Sequence, residues 1–150
     1  MLSEQCPPSG SPGPSLHSHR QPLEDKHSRI RVLLVDDHAL LRQSLRNIVD
    51  DDEGLEVVGE ASDGLEAIHA VRLLRPDVVV MDINMPKMNG IEATKLIKDE
   101  FPHTSVIGLS VEQGMDMVQR MQAAGIHSYL AKESAVDALC QAIEEAVARK

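Results

Sequence analysis

The chain has 150 residues and a formal net charge of −9, with 24 acidic against 15 basic side chains and only Phe101 and Tyr129 as aromatics. That length suits one domain with an aliphatic core, and an acidic balance with no Lys/Arg cluster argues against direct binding of nucleic acid. Two distant cysteines, Cys6 and Cys140, argue against a disulfide framework or thiolate metal site, and with no signal-like or membrane-spanning run the expectation is a cytoplasmic protein free of membrane contact.

Residues 1–28 contain five of the eight prolines (Pro7, Pro8, Pro12, Pro14 and Pro22) among Ser, Gly and His, with no hydrophobic period. Such a segment cannot offset its ordering entropy by burial, so it is expected to be a disordered tail or linker in which His17, His19 and His27 are solvated. Residues 29–150 form the expected folded domain. Here short apolar runs alternate with segments of helical period, the signature of βα units on a parallel sheet. The runs are "RVLLV", "LEVVGEA", "DVVVM", "SVIGL" and "SYLA".

Five helices are expected between and after the runs. In the first, Leu41, Leu45, Ile48 and Val49 fall on one face. In the last, Val136, Leu139, Cys140, Ile143 and Val147 do the same, which makes Cys140 a small core residue. Asp63 with Glu66, and Ser134 with Asp137, have the spacing of capping boxes. The fourth, "EQGMDMVQRMQAAG", contains Gly114, which weakens a helix, and Met115, Met117 and Met121, which suit either core filling or an adaptable surface. The first, third and fourth runs are almost uniformly apolar, whereas the second and fifth carry Glu56, Glu60, Ser128 and Tyr129. The last two are therefore the edges. The fold class is α/β, a doubly wound five-stranded parallel sheet of order 2-1-3-4-5 that binds ligands beyond the carboxyl ends of its strands.

That end collects the chemistry. Asp36 and Asp37 end the first strand, and Asp82 ends the third. Three carboxylates in one crevice repel one another unless a cation joins them, and an all-oxygen set with room for water suits Mg²⁺. The fourth run delivers Ser110, and Lys132 follows the fifth. Lys132 either neutralises the acids or joins Ser110 in contacting an added anion. Each acid alone reads as a cap or turn residue, but the set is far more specific than its members.

The stretches "IRVLLVDDHALLRQSL", "VVGEASDGLEA", "RPDVVVMDINMPKMNGIEA" and "SYLAKES" resemble the receiver domain of two-component response regulators, most closely the nitrate-regulator (NarL-like) group, over nearly everything outside the tail. The resemblance implies a flavodoxin-like receiver fold and a phosphoacceptor role for Asp82, with a sensor histidine kinase or phosphotransfer protein as donor. It implies Mg²⁺ bound by Asp37, Asp82 and the main-chain carbonyl of Asn84, with Asp36 acting largely through water. It implies a switch made by Ser110 and Tyr129 and an output face of fourth helix, fifth strand and fifth helix for an output domain, a partner protein or a homodimer. Asn84 and Glu112 stand where the family tunes phosphate lifetime. Glu133 stands where many members have proline, and Ser128 where glycine is usual.

Other classes fit less well. A haloacid-dehalogenase-type acyl-phosphate hydrolase wants a second acid two residues after its nucleophile, where this chain has Asn84. A flavodoxin-like cofactor protein needs a hydroxyl-rich phosphate loop after the first strand, where Asp36 and Asp37 would repel phosphate. A phosphorylation-independent interaction module would have no need of the full pocket set.

Overall fold

The computed structural model describes residues 29–85, 88–111 and 114–148. The expectations for the tail, Cys6 and Glu112 lie outside these residues. Five βα units follow in order: β1 (Ile30–Val35), α1 (Ala39–Asp51), β2 (Leu55–Ala61), α2 (Gly64–Leu74), β3 (Val78–Asp82), α3 (Gly90–Glu100), β4 (Ser105–Ser110), α4 (Met115–Ala124), β5 (Ser128–Ala131) and α5 (Ala135–Ala148). A 3-10 turn, Lys132–Ser134, joins β5 to α5. All pairings are parallel, and the strand order is β2-β1-β3-β4-β5.

Side chains alternate across a strand, so the apolar runs feed two cores, one on each face of the sheet. Leu33, Val35, Val79, Met81 and Val106 pack with Ala67, Val71, Ile97 and Met121 from α2, α3 and α4. Val32, Leu34, Val78, Val80, Ile107 and Leu109 pack with Leu45, Val49, Leu139 and Ile143 from α1 and α5. Each fully buried Leu, Ile, Val or Met contributes about 1.5–3 kcal/mol. β3 is buried along its whole length, whereas β2 and β5 carry partly exposed positions, as edge strands do.

Local chemistry sets the helix ends. Asp63 accepts the Glu66 N–H at 2.9 Å, and the Glu66 carboxylate accepts from the main-chain N–H and hydroxyl of Ser62, so the expected capping box forms one residue wider than its simplest version. Asn89 caps α3 in the same way through the Glu92 N–H. Gly125 ends α4 at φ +99°, while its N–H and that of Ile126 close on the carbonyls of Gln122 and Met121.

Three local expectations are corrected. Ser134 does not cap α5, because it lies in the 3-10 turn and its hydroxyl donates to the Ala131 carbonyl. Val136 is exposed, and the inner row of α5 instead uses Ala135, Leu139, Ala142, Ile143 and Ala146, whose small members bring the helix close to the sheet. Gly114 does not interrupt α4 but precedes it, which turns a helix-weakening residue into a permitted N-cap.

Candidate functional site

Strand register builds the site. Asp82 pairs with Leu109, and Ser110 with Ala131, so Asp82, Ser110 and Lys132 occupy successive steps along neighbouring strand ends. Asp36 follows β1, whose Val35 pairs with Met81. By alternation Asp36 and Asp82 continue the rows that face α1 and α5, whereas Ser110 continues the row of Val106 toward α4.

Asp36 and Asp82 are buried, at 1% and 0% exposure. Lys132 Nζ lies 2.9 Å from Asp82 Oδ2 and 3.6 Å from Asp36 Oδ2. These contacts are ion pairs, and neither Oδ2 receives an aligned hydrogen bond. The opposite oxygens are held locally: Asn84 N–H donates to Asp82 Oδ1 at 3.0 Å, and His38 N–H donates to Asp36 Oδ1 at 2.7 Å. Burial pushes the Asp82 carboxyl up to about 6, with the Asp36 charge adding to the rise and Lys132 and the Asn84 N–H opposing it.

The chain behind Asp82 is fixed from two sides. Ile83 N–H donates to the Leu109 carbonyl, and Gly90 N–H donates to the Ile83 carbonyl. Thr94 closes the first turn of α3 by donating its hydroxyl to the Gly90 carbonyl. Beside this segment a cavity of about 390 Å³ opens between α3 and α4, lined by Asn84, Met85, Asn89, Met117 and Arg120 among others.

Every expected pocket acid arrives at one place. Ligand atoms of Asp36, Asp37, His38 and Asp82 lie within 4.8 Å of one another. Two buried carboxylate oxygens without aligned donors, beside a third carboxylate, are what a hard dication can satisfy, so the donor set fits Mg²⁺. Ser110 is fully buried at the end of β4, and Tyr129 is half-buried against the core facing α2–α4. Those two share one face of the sheet and the Lys132 ion pairs the other, a division that a list of strand-end residues cannot reveal.

Comparison with known proteins decides the family: the response regulator receiver domain model matches residues 32–144. The chain belongs to the response regulator receiver family. The receiver is 37% identical over 117 residues to the transcriptional regulatory protein DegU of Brevibacillus brevis, covering 78% of this chain and 50% of that one. Among solved structures, it superposes on the response regulator domain of Thermotoga maritima CheB with a TM-score of 0.75 at 37% identity, covering 80% of this chain and 97% of that one. The receiver domain of NarL from Mycobacterium tuberculosis gives 0.78 at 26% identity, covering 82% and 99%. The receiver spans about half the length of the DegU relative. Among the described residues, no helix is long and apolar enough to cross a membrane.

Sequence reasoning missed two residues of the receiver's site. His38 Nδ1 stands 3.2 Å from Asp36 Oδ1 and 3.1 Å from Asp37 Oδ1. Its signal was its place directly after the two acids. Arg42, one turn into α1, donates to the Asp36 carbonyl and to Glu60 Oε1, tying the pocket to edge strand β2. A solvated helix-face arginine has the same local pattern, so only the fold reveals it.

Proposed function

We propose that Asp82 is the phosphoacceptor of this receiver and that a sensor histidine kinase or phosphotransfer protein is the donor. The observation that carries this reading is the buried Asp82 carboxylate, ion-paired with Lys132 at 2.9 Å and joined by Asp36 and Asp37. A carboxylate oxygen of Asp82 attacks phosphorus in line, the P–N bond to the donor imidazole breaks, and an acyl phosphate forms. Lys132 holds the attacking group and then the phosphoryl oxygens by charge. Asp37, Asp82 and the Asn84 carbonyl would hold Mg²⁺, with Asp36 acting mainly through water. When bound, the ion supplies charge neutralisation at the phosphoryl oxygens.

Ser110 and Tyr129 would carry the signal outward, toward an output surface of α4, β5 and α5 that engages an output domain, a partner or a second copy. Their common side of the sheet supports that coupling. Leu40, Val111, Met115 and Val136 are exposed at helix starts and loops on the same end as the pocket. Apolar side chains around a phosphoacceptor support docking of a donor protein there. Residues 1–28 act as a tail or linker to residues 29–150, the chain works in the cytoplasm, and it accepts phosphate rather than turning over a substrate.

The test is intact mass after incubation with acetyl phosphate and Mg²⁺, beside Asp82→Asn and an EDTA control. One phosphoryl group gained by the wild type alone, and only with Mg²⁺, is the expected result. No gain from acetyl phosphate or from a cognate kinase would favour a phosphorylation-independent interaction module. Sustained hydrolysis of phosphate esters would favour the hydrolase class.

A further inference from the structure

We propose that the cavity between α3 and α4 is a binding site for a small aromatic carboxylate, separate from the acidic pocket. Its volume of about 390 Å³ falls in the range of roughly 300–1,000 Å³ that small-molecule sites occupy. Ile83, Met85, Ile91 and Met117 supply the apolar part of the lining, and Asn84, Asn89 and Arg120 the polar part. Ile83, Met85 and Ile91 are buried members of the core facing α2–α4, and Met117 packs against that core, so three of the four apolar groups are held in place before any ligand arrives.

Charge sets the sign of the ligand. The chain carries a net charge of −9, yet the described residues that line this cavity include one cation and no acid. Arg42, Arg46 and Arg72 are each spent on a carboxylate of Glu60 or Glu100, whereas Arg120 has no hydrogen-bond or ion-pair partner among the described residues. Asn89 gives its side-chain oxygen to the Glu92 N–H, which leaves its amide NH₂ as a donor. A guanidinium fork matches a carboxylate through two parallel hydrogen bonds, and a single such cation suits a monoanion better than a polyphosphate. The thioethers set the body of the ligand. Met85 follows β3 and Met117 lies on α4, so two different elements present sulfur, which makes favourable contacts with aromatic rings and adapts to their shape.

The site joins a firm element to a loose one. Five residues of α3 are buried, but α4 buries only Met121 and Ala124 and starts at a glycine that makes no side-chain cap. A ligand held by Arg120 and Met117 of α4 against Ile91 and Asn89 at the start of α3 ties the two together and fills the space between them. It therefore favours the unphosphorylated arrangement and acts as a second input to the domain. This last step rests on the reading that Asp82 accepts phosphate and signals through α4; binding at the cavity does not.

The experiment titrates the full chain, in EDTA, with sodium 2-naphthoate, 2-naphthol and acetate by calorimetry and by naphthyl fluorescence, which the chain does not obscure because it has no Trp. 2-Naphthoate is expected to bind one site with a Kd below about 1 mM, and acetate not to bind measurably. Arg120→Gln should weaken 2-naphthoate by on the order of fivefold and leave 2-naphthol unchanged, while Met117→Ser should weaken both. No 2-naphthoate binding, or binding that neither substitution alters, overturns the site. At a 2-naphthoate concentration near the wild-type Kd, phosphorylation of the wild type by acetyl phosphate and Mg²⁺ should slow by a larger factor than that of Arg120→Gln. Binding that depends on Arg120 without any change in that rate overturns the role as an input. Absence of phosphorylation even without 2-naphthoate would count against Asp82 as acceptor, and the binding result would still decide the site.

Discussion

Gly90 sits so close behind Asp82 that a Cβ at position 90 would stand 2.2 Å from the Asp82 carbonyl oxygen and 2.9 Å from the Ile83 Cα. Backbone atoms cannot yield as a flexible side chain can. Gly90→Ala is therefore expected to cost about 1–3 kcal/mol in urea unfolding and to slow phosphorylation by shifting the carboxylate. Gly114 is the contrast, since among the described residues nothing lies within 4 Å of a Cβ placed there, and Gly114→Ala should stay within about 0.5 kcal/mol of the wild type. Equal effects at the two positions would refute the close-approach explanation.

Metal-free Asp82 keeps its proton up to about pH 6, against an ordinary value of 3.8. Between those values the native state binds more protons than the unfolded chain, so the contribution of this group falls as pH rises from about 4 to 6 and then stays level. Asp82→Asn in EDTA should therefore be more stable than the wild type at pH 7.5, by up to about 3 kcal/mol, and lose that advantage near pH 4. Urea midpoints at the two pH values measure the difference. A gain that does not change with pH would mean that ionisation is not its source.

Lys132 is the cation nearest two buried carboxylates, and its own side chain is 12% exposed. Lys132→Met should cost about 2–4 kcal/mol at pH 7.5 without metal. Acidification, which returns a proton to Asp82 at a higher pH than in the wild type because Lys132 no longer opposes the rise, should recover part of that loss, and Mg²⁺ should stabilise the variant more than the wild type. The variant should still gain phosphate from acetyl phosphate, more slowly. Thermal unfolding with and without Mg²⁺, followed by intact mass, tests both statements.

Glu60 on β2 is bound by Arg42 at 2.7 Å and by Arg46. Its partial burial would raise the pKa, but the two guanidinium groups together outweigh that and hold the carboxyl below its ordinary 4.5. A lowered carboxyl stabilises the fold above the unfolded pKa and loses that contribution as pH falls through the folded one. Glu60→Gln should cost about 0.5–1 kcal/mol at pH 7, with little effect left near pH 3 and a smaller effect in high salt. Independence from both pH and salt would show that the group acts through packing.

Much of this was legible in local pattern. Alternation of short apolar runs with helical periods predicted the strand order, because uniformly apolar runs must be central and mixed ones must lie at edges. The meeting of Asp36, Asp37, Asp82 and Lys132 at one end of the sheet was legible because each follows or ends a run. All of the misses but one share a cause, which is contact between segments distant in sequence. The need for glycine at position 90 comes from the carbonyl of Asp82 across a loop, the reach of Arg42 depends on β2, and the place of Val136 depends on how closely the alanines of α5 approach the sheet. His38 is different: its nearest partners are its immediate neighbours, and a histidine after two acids at a strand end reads as an ordinary loop residue until the ring is placed.

The two walls flanking Asp82 differ in compliance. On the α3 side, Gly90 touches backbone, Asn89 caps the helix, and Gly90, Ile91, Ala93, Thr94 and Ile97 are all buried. On the α4 side, the helix starts at an uncapped glycine, exposes Met115 and buries only Met121 and Ala124, with the cavity between α3 and α4 beside it. The segment that follows Asp82 is thus anchored more tightly on its α3 side than on its α4 side, so a displacement of that segment finds its room in the cavity between the two helices.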